Sequence, residues 1–166
     1  MSESLSRKQP SLSAYEQGVR LLARRDHSVA ELRRKLMQRH FPAVEIDDAL
    51  ATLTERGFLN DERTARLWAE QELRRGGQGQ VKALNRMMEH GLSREHAEAA
   101  LDELWDPQVE RDHARAVLQS LRGSIPESER GSRKGWAKLA RRLANRGFSQ
   151  ELIRELLRAD GGTESE

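Results

Sequence analysis

The chain contains no cysteine. That excludes disulfides and thiolate metal sites, and a reducing cytoplasm is the expected compartment. Aromatic residues amount to 4 % of the 166 residues (Trp 3, Tyr 1, Phe 3). Most of them fall on apolar stripes, so core roles are expected and base stacking is not the main binding mode. β-Branched residues are scarce, and no run alternates apolar and polar side chains at period two, so little is available to build a sheet. No segment approaches membrane-spanning length, and the opening MSESLSRKQP lacks the apolar stretch of a signal peptide. A soluble, cytoplasmic protein is expected. A strong excess of one charge is also missing, since 29 Lys+Arg stand against 27 Asp+Glu, a formal net charge of +2.

What the chain has in plenty is Arg, Leu, Ala and Glu, the residues of helices. The hydrophobic share of 36 % and charged share of 34 % favour a thin core spread among helices over one large core. The stretch Arg56–Gly91 shows the pattern best. Gly57 ends a helix, and Phe58 and Leu59 are expected to be buried. Asn60 and Asp61 can accept hydrogen bonds from the free N–H groups of a new helix, Asp61–Arg75. Gly76, Gly77 and Gly79 break it, and a second helix is expected over Gln80–His90. Before this pair, capping boxes at Ser13–Glu16 and Ser28–Glu31 open two helices. The first carries Tyr15, Val19 and Leu22 on one face, the second Leu32 and Leu36. Pro42 starts a third, with Ile46, Leu50 and Leu53 inward. After it come Ser93–Leu104, Gln108–Arg122 behind the Asp106-Pro107 cap, a loop over 123–131, a helix capped by Ser132, and a last one begun by Ser149.

Three joints superimpose: QRHFPAVEIDDAL (38–50), EHGLSREHAEAAL (89–101) and NRGFSQELIRELL (145–157). Each places a helix-ending residue (His40, Gly91, Gly147), then Phe or Leu (Phe41, Leu92, Phe148), then a helix starter (Pro42, Ser93, Ser149). Leu36, Met87 and Leu143 match four residues upstream. The joint spacings of 51 and 56 residues imply three modules of three helices. The expected fold is all-α: three tandem three-helix repeats, helix-turn-helix-like, sharing apolar surface to form an elongated, curved rod. The divisions are a disordered lead at 1–12, repeats at 13–57, 58–105 and 106–159, and a disordered tail at 160–166.

No enzyme signature is present. His27, His40, His90, His96 and His113 lie at helix ends or among charges without zinc-helix spacing, and read as surface histidines. Gly76, Gly77 and Gly79 lack the preceding strand and following Gly-Lys-Ser/Thr of a phosphate loop, and read as a hinge between helices. No metal and no cofactor is expected. Charge, however, is segregated along the chain. Acids gather at Glu45, Asp47 and Asp48 and at Glu95, Glu98, Asp102 and Glu103, while Arg130–Gln150 holds seven bases and no acid. On helical wheels Lys134, Lys138, Arg141 and Arg142 form a cationic strip with no acid to neutralise it. Lys82 and Arg86 face away from Val81, Leu84 and Met88. Arg63, Arg66, Arg74 and Arg75 load the neighbouring helix, and Arg33 and Arg34 point outward in the first module. Basic second helices in every module suit a phosphate backbone or an acidic protein surface. Nucleic-acid contact would be backbone-led, salt-sensitive and weakly sequence-specific.

The blocks RDHSVAELRRKL (25–36), RGFLNDERTARLWAE (56–70), RRGGQGQVKALNRMMEHGLS (74–93) and LARRLANRGFSQELIRELL (139–157) together resemble the RecX family, bacterial regulatory proteins that modulate the RecA recombinase. The resemblance covers nearly the whole chain outside the two ends. It implies a non-enzymatic regulator that binds RecA, free or as a filament on single-stranded DNA, and inhibits its ATPase, strand-exchange and co-protease activities; with no obvious dimerising stripe in the sequence, a monomer is expected. The family pattern has Phe where this chain has Thr64, which implies that Trp68 supplies the missing volume. Two rivals stand beside this reading: a helix-turn-helix DNA-binding transcriptional regulator, which needs base-reading side chains on a recognition helix, and a protein scaffold indifferent to nucleic acid.

Overall fold

The structure, a computed structural model, describes residues 12–161. The lead and tail expected at the two ends therefore lie, apart from Leu12 and Asp160–Gly161, outside the described residues. Among these residues the chain forms nine α-helices, one 3-10 turn and no strand. The helices are α1 (Ala14–Leu22), α2 (Val29–Met37), α3 (Ala43–Glu55), α4 (Asp61–Arg75), α5 (Gln80–Glu89), α6 (Arg94–Leu104), α7 (Pro107–Arg122), α8 (Arg133–Ala144) and α9 (Gln150–Ala159); the 3-10 turn is Glu127–Glu129.

The three matching joints are one backbone device used three times. His40, Gly91 and Gly147 adopt left-handed φ of 61°, 93° and 84°, which turns the chain out of a helix. The next residue then reaches back five positions: Phe41 N–H to Leu36 O (3.4 Å), Leu92 to Met87 (3.2 Å) and Phe148 to Leu143 (3.4 Å). The shorter bond of the same motif runs from His40 to Met37, Gly91 to Met88 and Gly147 to Ala144. These are Schellman motifs, and their hydrophobic partner residues Leu36, Met87 and Leu143 are fully buried. Serine side chains cap the helices that follow at two of the joints: Ser93 accepts from His96 N–H and Ser149 from Leu152 N–H. Gly57 repeats the motif at the end of α3, with Phe58 N–H on Leu53 O.

The described residues divide into two compact units, the first ending at Thr64 and the second beginning at Ala65. In the first, Leu21, Leu32, Leu36, Ile46, Leu50, Leu53 and Leu59 form the core. The helix α1 is rotated from the expected face: Ala14, Gly18 and Leu21 are buried, Tyr15 and Leu22 are half-buried, and Val19 is exposed. Small residues decide this. A Cβ on Gly18 would stand 2.7 Å from Leu53 Cδ1, so glycine lets α1 approach α3 more closely than the Val19 side would allow. Phe58, expected inside, is 50 % exposed, while Leu59 takes the core position.

The second unit holds two cores. Ala65, Ala69, Ala83, Met87, Leu92, Ala97, Ala100, Leu101 and Trp105 form one; residues of α7, α8 and α9, with Ile125 and Phe148, form the other. Here too one helix is turned from its expected face. α5 buries Ala83 and Met87, with Leu84 and Met88 half-buried and Val81 51 % exposed. The two cores are tied by backbone. Gly79 N–H donates to Arg146 O at 2.9 Å, and a Cβ on Gly79 would lie 2.2 Å from Gly147 O. The glycine loop, expected as a hinge, is a docking point: it is bare because another stretch of main chain occupies the space.

A second tie recurs in both units. The first N–H of α2, Val29, donates to Asp61 Oδ1 at 2.9 Å. The first N–H of α5, Gln80, donates to Glu110 Oε1 at 3.1 Å. In each case an acid near the start of a later helix caps an orphan donor of an earlier one.

Candidate interaction surface

The cationic side chains are mostly paired. Glu72, nearly buried at the end of α4, accepts from Arg75 (2.8 Å) and from Arg86 across in α5 (2.9 Å). Arg66 pairs with Glu103, and Arg74 lies 3.4 Å from Glu70. In the first unit Arg33 meets Asp47 at 2.5 Å. Arg63 lies 3.9 Å from Asp26 and donates to the carbonyls of Gly57 and Phe58. On the helical wheel Lys134 and Lys138 have no acid beside them. Glu129, in the turn before α8, reaches both, with Lys134 at 2.9 Å. Their hydrogen bonds, Lys138 first and then Lys134, hold the Glu129 carboxyl below its ordinary range. The strip is thus partly neutralised by a residue lying outside its own helix.

Other cations keep their charge uncompensated. Arg34 and Arg141 are exposed and have no hydrogen-bond or ion-pair partner among the described residues. Lys82 and Arg142 are held by neutral oxygens: Lys82 Nζ lies 3.5 Å from Asn145 O, and Arg142 donates to Ser124 Oγ. Arg146, absent from the wheel-based set, joins them by donating to Gly77 O at 3.3 Å. The docking of the glycine loop on the α8–α9 turn therefore gathers Lys82 and Arg146 beside the end of α8, where Arg141 and Arg142 lie. Arg146 could have been found as one of the seven bases of 130–150; its proximity to Lys82, 64 positions away in sequence, could not.

One charged cluster is buried. His27 and Glu31 are each only 3 % exposed, with His27 Nδ1 at 2.9 Å from Glu31 Oε2. Arg25 pairs with the same carboxylate, and Lys35 lies 3.7 Å from it. His27 is thus not the surface histidine expected. Burial lowers its pKa, against the hydrogen bond and charge of Glu31, so the ring is neutral and donates from Nδ1. Burial would raise Glu31, but hydrogen bonds from Arg25 and His27 outweigh it and keep the carboxyl below its usual range. Trp68 is half-buried on the second core, its ring 5.1 Å from that of His90 in an edge contact; Thr64 itself is buried. Among the described residues no cluster of three or more His, Asp or Glu side chains could hold a metal ion, and no helix is long and apolar enough to cross a membrane.

Fold and surface together define a class: an all-α protein of repeated three-helix units. Residues 14–53 match the family model of RecX, first three-helix domain, and residues 108–157 that of RecX, third three-helix domain. Regulatory protein RecX of Pseudomonas fluorescens (strain SBW25) is 36 % identical over 140 residues, 82 % of this chain and 84 % of that one. Its counterpart in Chlorobaculum tepidum is 33 % identical over 153 residues, 92 % and 91 % of the two chains. The crystal structure of RecX from Lactobacillus salivarius shares the fold with a TM-score of 0.75, at 17 % identity and covering 88 % of this chain and 93 % of that one. The chain belongs to the RecX family of regulatory proteins.

Proposed function

We propose that this protein acts in the cytoplasm, as a monomer without enzymatic activity, by binding the RecA recombinase, free or as its filament on single-stranded DNA. Binding inhibits the ATPase, strand-exchange and co-protease activities of RecA. The observation that carries this reading is membership of a family of regulatory proteins along most of the chain's length. The recognising units in this reading are the three repeats at 13–57, 58–105 and 106–159. Their weak contacts, summed along a polymer, give an avidity that no single repeat has.

The uncompensated cations supply the chemistry. Lys82, Arg141 and Arg142, with Arg34 in the first unit, face solvent without a carboxylate to displace. They suit a phosphate backbone or an acidic protein surface. Arg33, Arg63, Arg66, Arg74, Arg75, Arg86, Lys134 and Lys138 join only by giving up a pair; for the exposed pairs of Arg33, Arg63, Arg66 and Arg74 that costs only about 0–1 kcal/mol. A sequence-specific DNA reader is not favoured, because the relatives are regulatory proteins RecX.

The test is hydrolysis of ATP by RecA on single-stranded DNA. Wild-type protein is expected to slow it, and the triple variant Lys82→Glu/Arg141→Glu/Arg142→Glu to inhibit about tenfold or more less strongly. Unchanged inhibition by the variant would remove these cations from the mechanism; no effect of the wild type would remove RecA.

A further inference from the structure

The third core carries a cavity that the regulatory reading does not use. A space of about 320 Å³ opens between the end of α7, the loop after it and the first turns of α8. Its apolar floor is Ile125, Trp136 and Leu139, and its charged rim is Arg122, Arg130 and Asp160. Gly135 also lines it, and a Cβ there would stand 2.2 Å from Glu129 O, so glycine lets the loop lie close against α8. A second space of about 170 Å³, with Arg115, Leu118 and Leu156, shares Arg122 and Asp160 with the first. The Arg122–Asp160 ion pair is thus the partition between two cavities.

That partition is held by a poor occupant. Asp160 follows the last residue of α9, where a negative charge meets the negative end of the helix dipole and is disfavoured. Arg122 offsets this, and its guanidinium also stands 6.0 Å over the Trp136 ring. Arg130 faces the cavity while tethered by its Nε to Ile125 O at 3.1 Å. The seat is built for one carboxylate, with apolar surface directly beside it. With Asp160 still tethered nearby and Glu127 3.5 Å from Arg130, an incoming carboxylate adds one negative charge to the rim, whereas a phosphate dianion would add about two.

We propose that these joined cavities bind a protein segment presenting an Asp or Glu side chain next to an apolar one. The carboxylate displaces Asp160 from Arg122, and the apolar side chain fills the space over Ile125, Trp136 and Leu139. Asp160 is then an internal competitor that holds the site closed until such a segment arrives. The inference concerns the chemistry of the seat and does not depend on RecA being the partner.

The experiment titrates the full-length ¹⁵N-labelled chain with the blocked tripeptide Leu-Asp-Leu and follows the Trp136 indole N–H and the Arg122 Nε–H by NMR. Saturable shifts at both are expected, with Leu-Asn-Leu at least about tenfold weaker for want of the charge-assisted bond. Asp160→Ala is expected to tighten binding several-fold by removing the competitor, and Arg122→Met to abolish it. Should Arg122→Met lose its native amide dispersion, Arg130→Met, expected to weaken binding, takes its place. Absence of saturable shifts in Asp160→Ala would overturn the proposal, and so would equal response to the Asn peptide. An equal or stronger response to inorganic phosphate or to an oligothymidylate would also overturn it, by making the seat a phosphate site.

Discussion

The buried pair His27–Glu31 sets a pH dependence for the first unit. Burial holds His27 neutral in the folded chain, so its pKa lies below that of the unfolded chain. At mildly acidic pH the unfolded state binds the extra proton and the folded state does not. Stability therefore falls as pH drops through the ordinary histidine range, and the loss stops once the folded pKa is passed. Urea midpoints of the wild type should decrease between neutral pH and mildly acidic pH, with a smaller decrease in His27→Gln; equal slopes would show that other groups dominate. His40 offers a second test. It holds the left-handed conformation that glycine holds at the two matching joints, and that geometry costs a non-glycine residue roughly 1–2 kcal/mol. His40→Gly should raise stability by up to about 1 kcal/mol, since glycine's unfolded-state entropy offsets part of the gain.

Schellman turns stop α2, α3, α5 and α8, and serine caps start α1, α2, α6, α8 and α9, so these ends follow from local chemistry. Their neighbours then complete them. Asp61 and Glu110 each accept the first N–H of an earlier helix. Asp61→Ala and Glu110→Ala should each cost about 1 kcal/mol in chemical denaturation, the size of a lost cap; changes within error at both would show that water replaces the carboxylate freely. Gly79 belongs to the same account. Gly79→Ala drives a Cβ into the backbone of Gly147, a clash no rotamer can relieve. A loss of about 1–3 kcal/mol or more is expected, and the second unit should then melt in two steps as its two cores part. A single transition at the wild-type midpoint would contradict the docking.

Over the molecule as a whole, charge is nearly balanced in sum but not in place. Acids answer many cations locally, as Glu72 does for Arg75 and Arg86 and Glu129 for Lys134 and Lys138. Among the cations left without a carboxylate are Lys82, Arg141, Arg142 and Arg34. If these meet phosphates or an acidic surface, the proposed inhibition of RecA must weaken as salt rises, and the charge-reversed triple variant must show a shallower salt dependence because fewer counterions are exchanged. ATPase inhibition measured across a salt series checks this. Inhibition independent of ionic strength would favour an apolar contact instead.

Helix content, the three recurring joints and most cap residues were legible in the chain, because propensity, capping and the left-handed turn act within half a dozen residues. The identities of the core leucines followed for the same reason: Leu32, Leu36, Ile46, Leu50, Leu53, Leu139, Leu143, Leu152, Ile153 and Leu156 are buried as periodicity requires. Long-range proximity was not legible. Periodicity could not tell that α1 would present Gly18 to α3, since close approach rewards a missing side chain and hydrophobicity scales do not register one. Nor could it tell that His27 would be enclosed with Glu31, that Glu129 would fold onto Lys134 and Lys138, or that the glycine loop would lie against Gly147. Those outcomes depend on which segments share space, and that is decided when the cores close and each buried polar group must find its partner among whatever the packing has brought near.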